Sequence, residues 1–298
     1  MDDDLSYYTL QSRMTEPGRM SHLVADLPDD LAALRRVVSG LVVHYRAENP
    51  VENGVPVERL REIDTRYVEA MLSRLEELAD GPLTTPRPLT ERLVGCCRDV
   101  TLLFVSLLRA KGIPARARVG FATYFVSDYG IDHEIAEVWD EPEQRWRRVD
   151  AELADNYTGP DGISIDPLDL TTNQFVLAGS AWQQCRAGTA DPVMFVVDPG
   201  LDIPETKGWP QIAYDLVHDL ATLNRTEMIL WDTWGWGQNR PFTDAELALL
   251  DHTAAVTHGA GNGAEARKLY ESEPTLRVPE TVVSGDPLGG PDRTIAWR

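Results

Sequence analysis

Cysteine is scarce in this chain. Its 298 residues hold three, namely Cys96, Cys97 and Cys185, and two of them are neighbours that cannot bridge without severe strain. That excludes a disulfide framework. Positive charge is short as well: Lys+Arg 28 stand against Asp+Glu 48, a net −20 spread along the whole sequence. Such a surface repels phosphate backbones and anionic lipid heads, so neither nucleic acid nor membrane is expected as a partner. No stretch approaches the roughly 18 uninterrupted apolar residues of a membrane span. The opening MDDDLSYYTL has neither the basic nor the apolar region of a secretory signal. The expectation is a reduced, cytoplasmic, soluble protein. Glycine-rich phosphate loops are missing, and no CxxC pair suggests zinc. No metal or organic cofactor is expected.

Ordinary globular patterning is what remains, with 43% hydrophobic and 26% charged residues. After a polar arm over 1–28, apolar residues recur at helical spacing from Asp30 to Tyr45, with Asp29 or Asp30 placed to cap. A second amphipathic helix is expected over 57–79, and DGPLTTPRPL at 80–89 is a connection. The segment after GCC is apolar on more than one face and should be a helix buried nearly all round. Gly112 and Pro114 stop it. ARARVGFATYFV reads as a strand, and HEIAEVW and RWRRVD read as a hairpin around DEPEQ. Further on, helices are expected over 174–188, 213–231 and DAELALLDHTAAVTHG, with a short strand at VMFVV. Glycine and proline from 259 onward suggest a loose tail.

The two adjacent cysteines stand where the buried helix begins. A thiolate in a first helical turn faces unpaired N–H groups and the positive end of the helix dipole, which favour its ionised form. The same N–H groups can receive an oxyanion. A nucleophilic cysteine needs a base, usually a histidine oriented by a carboxylate. His133 opens the first strand of the hairpin and Asp150 closes the second, so the hairpin is expected to bring them together. His22, His44, His218, His252 and His258 show no partner pattern. HEIAE lacks the second histidine of a zinc-binding HExxH and reads as a strand. The tryptophans of LWDTWGWGQ at 230–238 are expected to pack internally.

G-x-C-R-D before an apolar helix and LLRAKGIPAR, then a histidine strand with Glu four residues on and W-x-x-x-D, resembles the core of the transglutaminase-like superfamily. The likeness covers residues 91–153 and keeps the order Cys, His, Asp. It implies a papain-like α+β fold in which an antiparallel sheet packs against the cysteine helix. It also implies that Cys97, the cysteine followed by Arg98 and Asp99, is the nucleophile, with His133 the base and Asp150 its orienting partner. One departure is Ile135, where the family often has an aromatic residue. Arg109 and Arg116, which recur in the family pattern, are expected to be structural ion-pair partners, and Cys96 a packing residue.

The resulting expectation is a single domain over 1–298: a helical segment over 1–88, a catalytic core over 89–155, a mostly helical segment over 156–258 and a loose tail over 259–298. Its function would be acyl transfer through a thioester on Cys97. An amide, ester or thioester of a small molecule or peptide would be hydrolysed or converted to a new amide. The rival readings are a non-catalytic binding module of the same fold and an arylamine N-acetyltransferase-like acyltransferase. The latter fits less well, because RLVGCC lacks the arginine and paired glycines that precede the cysteine in that family.

Overall fold

The structure is a computed structural model that describes residues 3–259 and 263–297. In chain order the helices are α1 (Asp3–Tyr7), α2 (Leu31–Ser39), α3 (Val68–Leu78), α4 (Cys97–Ala110), α5 (Ala178–Arg186), α6 (Gly208–Leu223), α7 (Asp244–Thr257) and α8 (Gly263–Ser272). The strands are β1 (Val42–His44), β2 (Leu93–Gly95), β3 (Ala115–Ala122), β4 (Gly130–Asp140), β5 (Arg145–Val149), β6 (Phe175–Leu177), β7 (Phe195–Val196), β8 (Asp232–Thr233), β9 (Thr281–Ser284) and β10 (Arg293–Ala296). The class is α+β, as the resemblance implies. One sheet runs β5-β4-β3-β6, with β7 parallel to β4, while β1 and β2 form a separate parallel pair and β10-β9-β8 a third sheet.

The chain divides into two compact units, Met1–Ala117 with Ile135–Tyr157 and Asp166–Leu170, and Arg118–Glu134 with Thr158–Ile165 and Thr171–Arg298. Both are gathered from non-contiguous stretches, whereas the segments expected at 1–88, 89–155, 156–258 and 259–298 follow chain order.

In the first unit, α4 is the centre. Every residue from Cys97 to Arg109 is buried, and α4 packs against α2, α3, β1 and β2. Leu102, Leu103, Phe104, Val105, Leu107 and Leu108 have no exposed surface, and each such side chain contributes roughly 2 kcal/mol relative to exposure. Gly112, at φ +75°, closes the helix in the left-handed conformation. Arg116 meets Glu137 at 2.7 Å and lies over the Trp146 ring at 4.1 Å, with the Tyr8 ring 5.1 Å away. The expected ion pair is therefore present. Arg109 also bonds to neighbouring segments: its Nε donates to the Ala115 carbonyl and its Nη1 to Thr15, tying the end of α4 to β3 and to the N-terminal arm.

The second unit packs α5, α6 and α7 on one another, with α8 against α6 and α7. Its buried ionic anchor is Arg118, which gives two 2.9 Å bonds to the Asp219 carboxylate on α6. Gly120 is required where β3 meets β6, because a Cβ there would fall 2.3 Å from the Val176 carbonyl oxygen. Thr243 and Glu246 form a reciprocal capping box at the start of α7.

Several elements depart from the periodicity. The helix expected to reach Tyr45 stops at Ser39, and Val42–His44 pairs with Leu93–Gly95 instead. The region 57–79 splits into a 3₁₀ turn, Val57–Asp64, and α3. Phe175–Leu177 is a strand paired with β3 rather than the start of α5. The helix expected over 213–231 begins at Gly208 and ends at Leu223. The expected loose tail holds α8 and the antiparallel pair β9–β10. Residues 260–262 and 298 of that tail lie outside the described residues. Its glycines and prolines mark the turns, while the β-branched TVVS run supplies a strand with Val282 buried.

Candidate active site

GCCRD is a helix-start device. Cys96 is the N-cap of α4, extended at φ −136° and ψ −174°, and its N–H donates to the Asp99 carboxylate at 2.9 Å. With the Cys96 side chain facing the N–H of Asp99, this is a capping box in which sulfur replaces the usual hydroxyl. Cys96 thus has a defined structural role rather than packing alone. Cys97 follows as the first helical residue, 5% exposed. Arg98 turns away from it and locks the entry. Its guanidinium donates to the carbonyls of Thr65 and Arg66 and pairs with Asp99 at 3.1 Å. Gly95 makes room for this set, since a Cβ there would lie 2.8 Å from Asp99 Oδ2 and 3.0 Å from Val42 Cγ1.

The electrostatics separate the thiols. Hydrogen bonding to Cys97 favours the Cys96 thiolate, but burial and the charge of Asp99 outweigh it and raise that thiol. Burial pushes Cys185 up to about 12. Burial likewise raises Asp99, against the attraction of Arg98. Tyr45, which no sequence motif marks, lies close enough to both Cys96 and Cys97 for their charges to oppose its ionisation.

Asp150 belongs to the same unit. It lies just beyond β5 and is buried; its Oδ1 accepts the Glu152 N–H at 2.9 Å while its own N–H donates to the Pro167 carbonyl. Two bonds thus set its rotamer and its backbone. The β4–β5 ladder runs from Asp140–Arg145 to Ala136–Val149, so pairing with β5 stops short of His133.

His133 belongs to the second unit. It is the fourth residue of β4 rather than its first, the strand beginning at Gly130, where Gly130 and Ile131 pair with Phe195 and Val196. Its ring is 3% exposed and has Phe125 at 5.0 Å, with Tyr124 and Phe175 each at 6.4 Å, all edge-on. An aromatic wall is therefore present although Ile135 is aliphatic. Alternation along the strand sends Asp132 to the opposite face. There Asp132 Oδ1 and Asp215 Oδ2 are buried without a hydrogen-bond partner. Burial pushes Asp132 up to about 7, against the pull of His133. Burial and Asp132 together raise Asp215 well above the carboxylate range. Neither residue carries a motif that marks it in the sequence.

Among the described residues no group of three or more His, Cys, Asp or Glu is placed to hold a metal ion, and HEIAE is strand. No helix is long and apolar enough to cross a membrane among those residues. His218 is held near 4 by burial, with its Nε2 against the Asp232 carbonyl. Its ring lies between Tyr214 and Trp234.

Residues 46–151 match the Transglutaminase-like superfamily, a span that includes Cys97, His133 and Asp150. No curated protein matches the chain. A solved structure described as a candidate cysteine protease from Cytophaga hutchinsonii is 16% identical and aligns with 59% of this chain, at a TM-score of 0.36. The chain spans 46% of that protein.

Proposed function

We propose, from the likeness of residues 46–151 to the transglutaminase-like superfamily, that this protein is a cysteine enzyme of acyl transfer. Cys97 is its nucleophile, His133 its base and Asp150 the group that orients the imidazole. The observation that carries this reading is Cys97 at the first position of a helix buried from Cys97 to Arg109. There the helix dipole favours a thiolate.

The chemistry runs in two halves. His133 takes the Cys97 thiol proton as sulfur attacks a carbonyl carbon, and the π electrons pass to the carbonyl oxygen. The Cys97 backbone N–H receives that charge. Collapse re-forms the C=O bond and expels the amine, alcohol or thiol, which takes the proton from His133. Water or an amine then attacks the thioester by the same route and restores the thiol. Asp150 keeps one imidazole tautomer and stabilises the cation that forms between the two transfers. The hydrogen bond from Glu152 N–H to Asp150 Oδ1 supports that orienting role.

A brief substoichiometric iodoacetamide pulse at neutral pH, with mass mapping, tests the assignment. Cys97 should be alkylated first, because burial raises both other thiols. His133→Asn should slow that reaction by roughly tenfold or more. Equal sluggishness of all three thiols would point to a binding module instead.

A further inference from the structure

The oxyanion of a tetrahedral adduct on Cys97 needs more than one donor, and the backbone N–H of Cys97 supplies one. The first unit offers a second on the segment that follows β1. The Tyr45 N–H donates to the Gly95 carbonyl at 2.9 Å, the bond that completes the parallel His44–Gly95 pair. This brings Tyr45 alongside Cys96, one residue before the nucleophile, from a position about fifty residues upstream.

The ring is held in place. His44 stacks on it at 5.2 Å and 22°. His44 is itself fixed, with its N–H donating to Glu48 at 2.7 Å and its Nδ1 facing the N–H groups of Arg46 and Ala47 at 3.2 and 3.1 Å. Arg46 lies near the phenol and, by charge and hydrogen bonding, pulls against the rise in its pKa. A cation beside a phenol makes its O–H a stronger donor. Burial first, then the charges of Cys96 and Cys97, push Tyr45 up to about 12. At neutral pH it therefore keeps its proton, even beside a thiolate.

We propose that Tyr45 is the second oxyanion donor, its O–H acting with the Cys97 N–H on the oxygen of the tetrahedral adduct. The assignment rests on Cys97 being the nucleophile. The Sγ–C bond forms as the carbonyl π electrons move to oxygen. Tyr45 shares its hydrogen with that oxygen but does not give it up, and the hydrogen bond relaxes when the C=O bond returns and the leaving group departs. Tyr45→Phe removes only the donor.

Two reactions of the same sulfur separate this role from a structural one. Acylation by p-nitrophenyl acetate passes through an oxyanion and is read as a burst of p-nitrophenolate; alkylation by iodoacetamide is a displacement that forms none. In Tyr45→Phe the acylation rate should fall roughly 100-fold or more, while alkylation of Cys97 stays within about threefold of the native protein. Arg46→Gln should show the same split at about tenfold, and it serves if Tyr45→Phe does not fold. Acylation within threefold of native in both variants would overturn the proposal, as would acylation and alkylation falling together. A burst that persists in Cys97→Ala would instead remove the nucleophile itself, and this donor with it.

Discussion

Replacing Gly95 with alanine tests whether the start of α4 is built as the geometry implies. The new Cβ would sit 2.8 Å from Asp99 Oδ2, 3.0 Å from Asp99 Cβ and 3.0 Å from Val42 Cγ1. All three are well inside ordinary van der Waals contact of about 3.5–4.0 Å. Val42 is held by its pairing with Leu93, so the softer response is for Asp99 to withdraw by a few tenths of an ångström. That movement lengthens the 2.9 Å bond from the Cys96 N–H and pulls on the ion pair with Arg98. A buried bond to a charged acceptor is worth about 1.5–3 kcal/mol, and overpacking adds about 1–3 kcal/mol. Because yielding at Asp99 relieves some of the clash, the two do not add in full, and a loss of about 3 kcal/mol is expected. Urea unfolding followed by tryptophan fluorescence measures it. The Cys97 alkylation rate under native conditions should change with it, since the same cap places the thiol. Gly40→Ala is the control, in the same unit, at φ −87° and with nearest contacts of 3.4 and 3.6 Å; it should stay within about 0.5 kcal/mol. A Gly95→Ala protein within about 1 kcal/mol of native, with unchanged alkylation, would refute the reasoning.

Two further outcomes concern pH. Burial alone would raise Glu62, but bonds from Arg59, the Val94 N–H and Arg74 hold it below the usual carboxylate range. Its contribution is therefore present above the unfolded carboxyl pKa of about 4.3 and is lost as pH falls below that; Glu62→Gln should cost about 2 kcal/mol at pH 7 and progressively less in acid, and an equal cost at pH 7 and pH 3 in urea titrations would contradict the assignment. Asp132 has the opposite sign: raised to about 7 among Asp215, Tyr214 and His133, it lowers native stability as pH climbs from about 4 through 7. Asp132→Asn should gain in melting temperature relative to native between pH 5 and pH 8, and a pH-independent difference would rule this out.

The cysteine helix is legible in the sequence because its signals are local. GCCRD, an apolar run too broad for one face and Gly112 all act within a few turns of each other. The structure returns them as N-cap, buried helix and left-handed stop. The hairpin is legible for the same reason, since β-branched and aromatic runs flank a short turn. Its outer end is not. Gly130 and Ile131 join the strand, and Phe195 and Val196 pair with them from more than sixty residues later, which sets His133 in the strand interior. The tail misleads because its glycines dominate the composition while its strands are short.

The sequence by itself determined the place of Cys97 at a helix start and the burial of that helix. Each of these depends on period, capping and turn chemistry among near neighbours. Only the tertiary structure decided that Tyr45 comes beside Cys96, that Glu62 anchors β2 from thirty-two residues away, and that Asp132 comes close enough to the buried Asp215 for its charge to raise that carboxyl. Periodicity tells which face of a segment leaves water, but it does not tell which distant segment covers that face. That choice belongs to the free energy of the whole packed chain, and it is where the electrostatic environment of each titratable group is set.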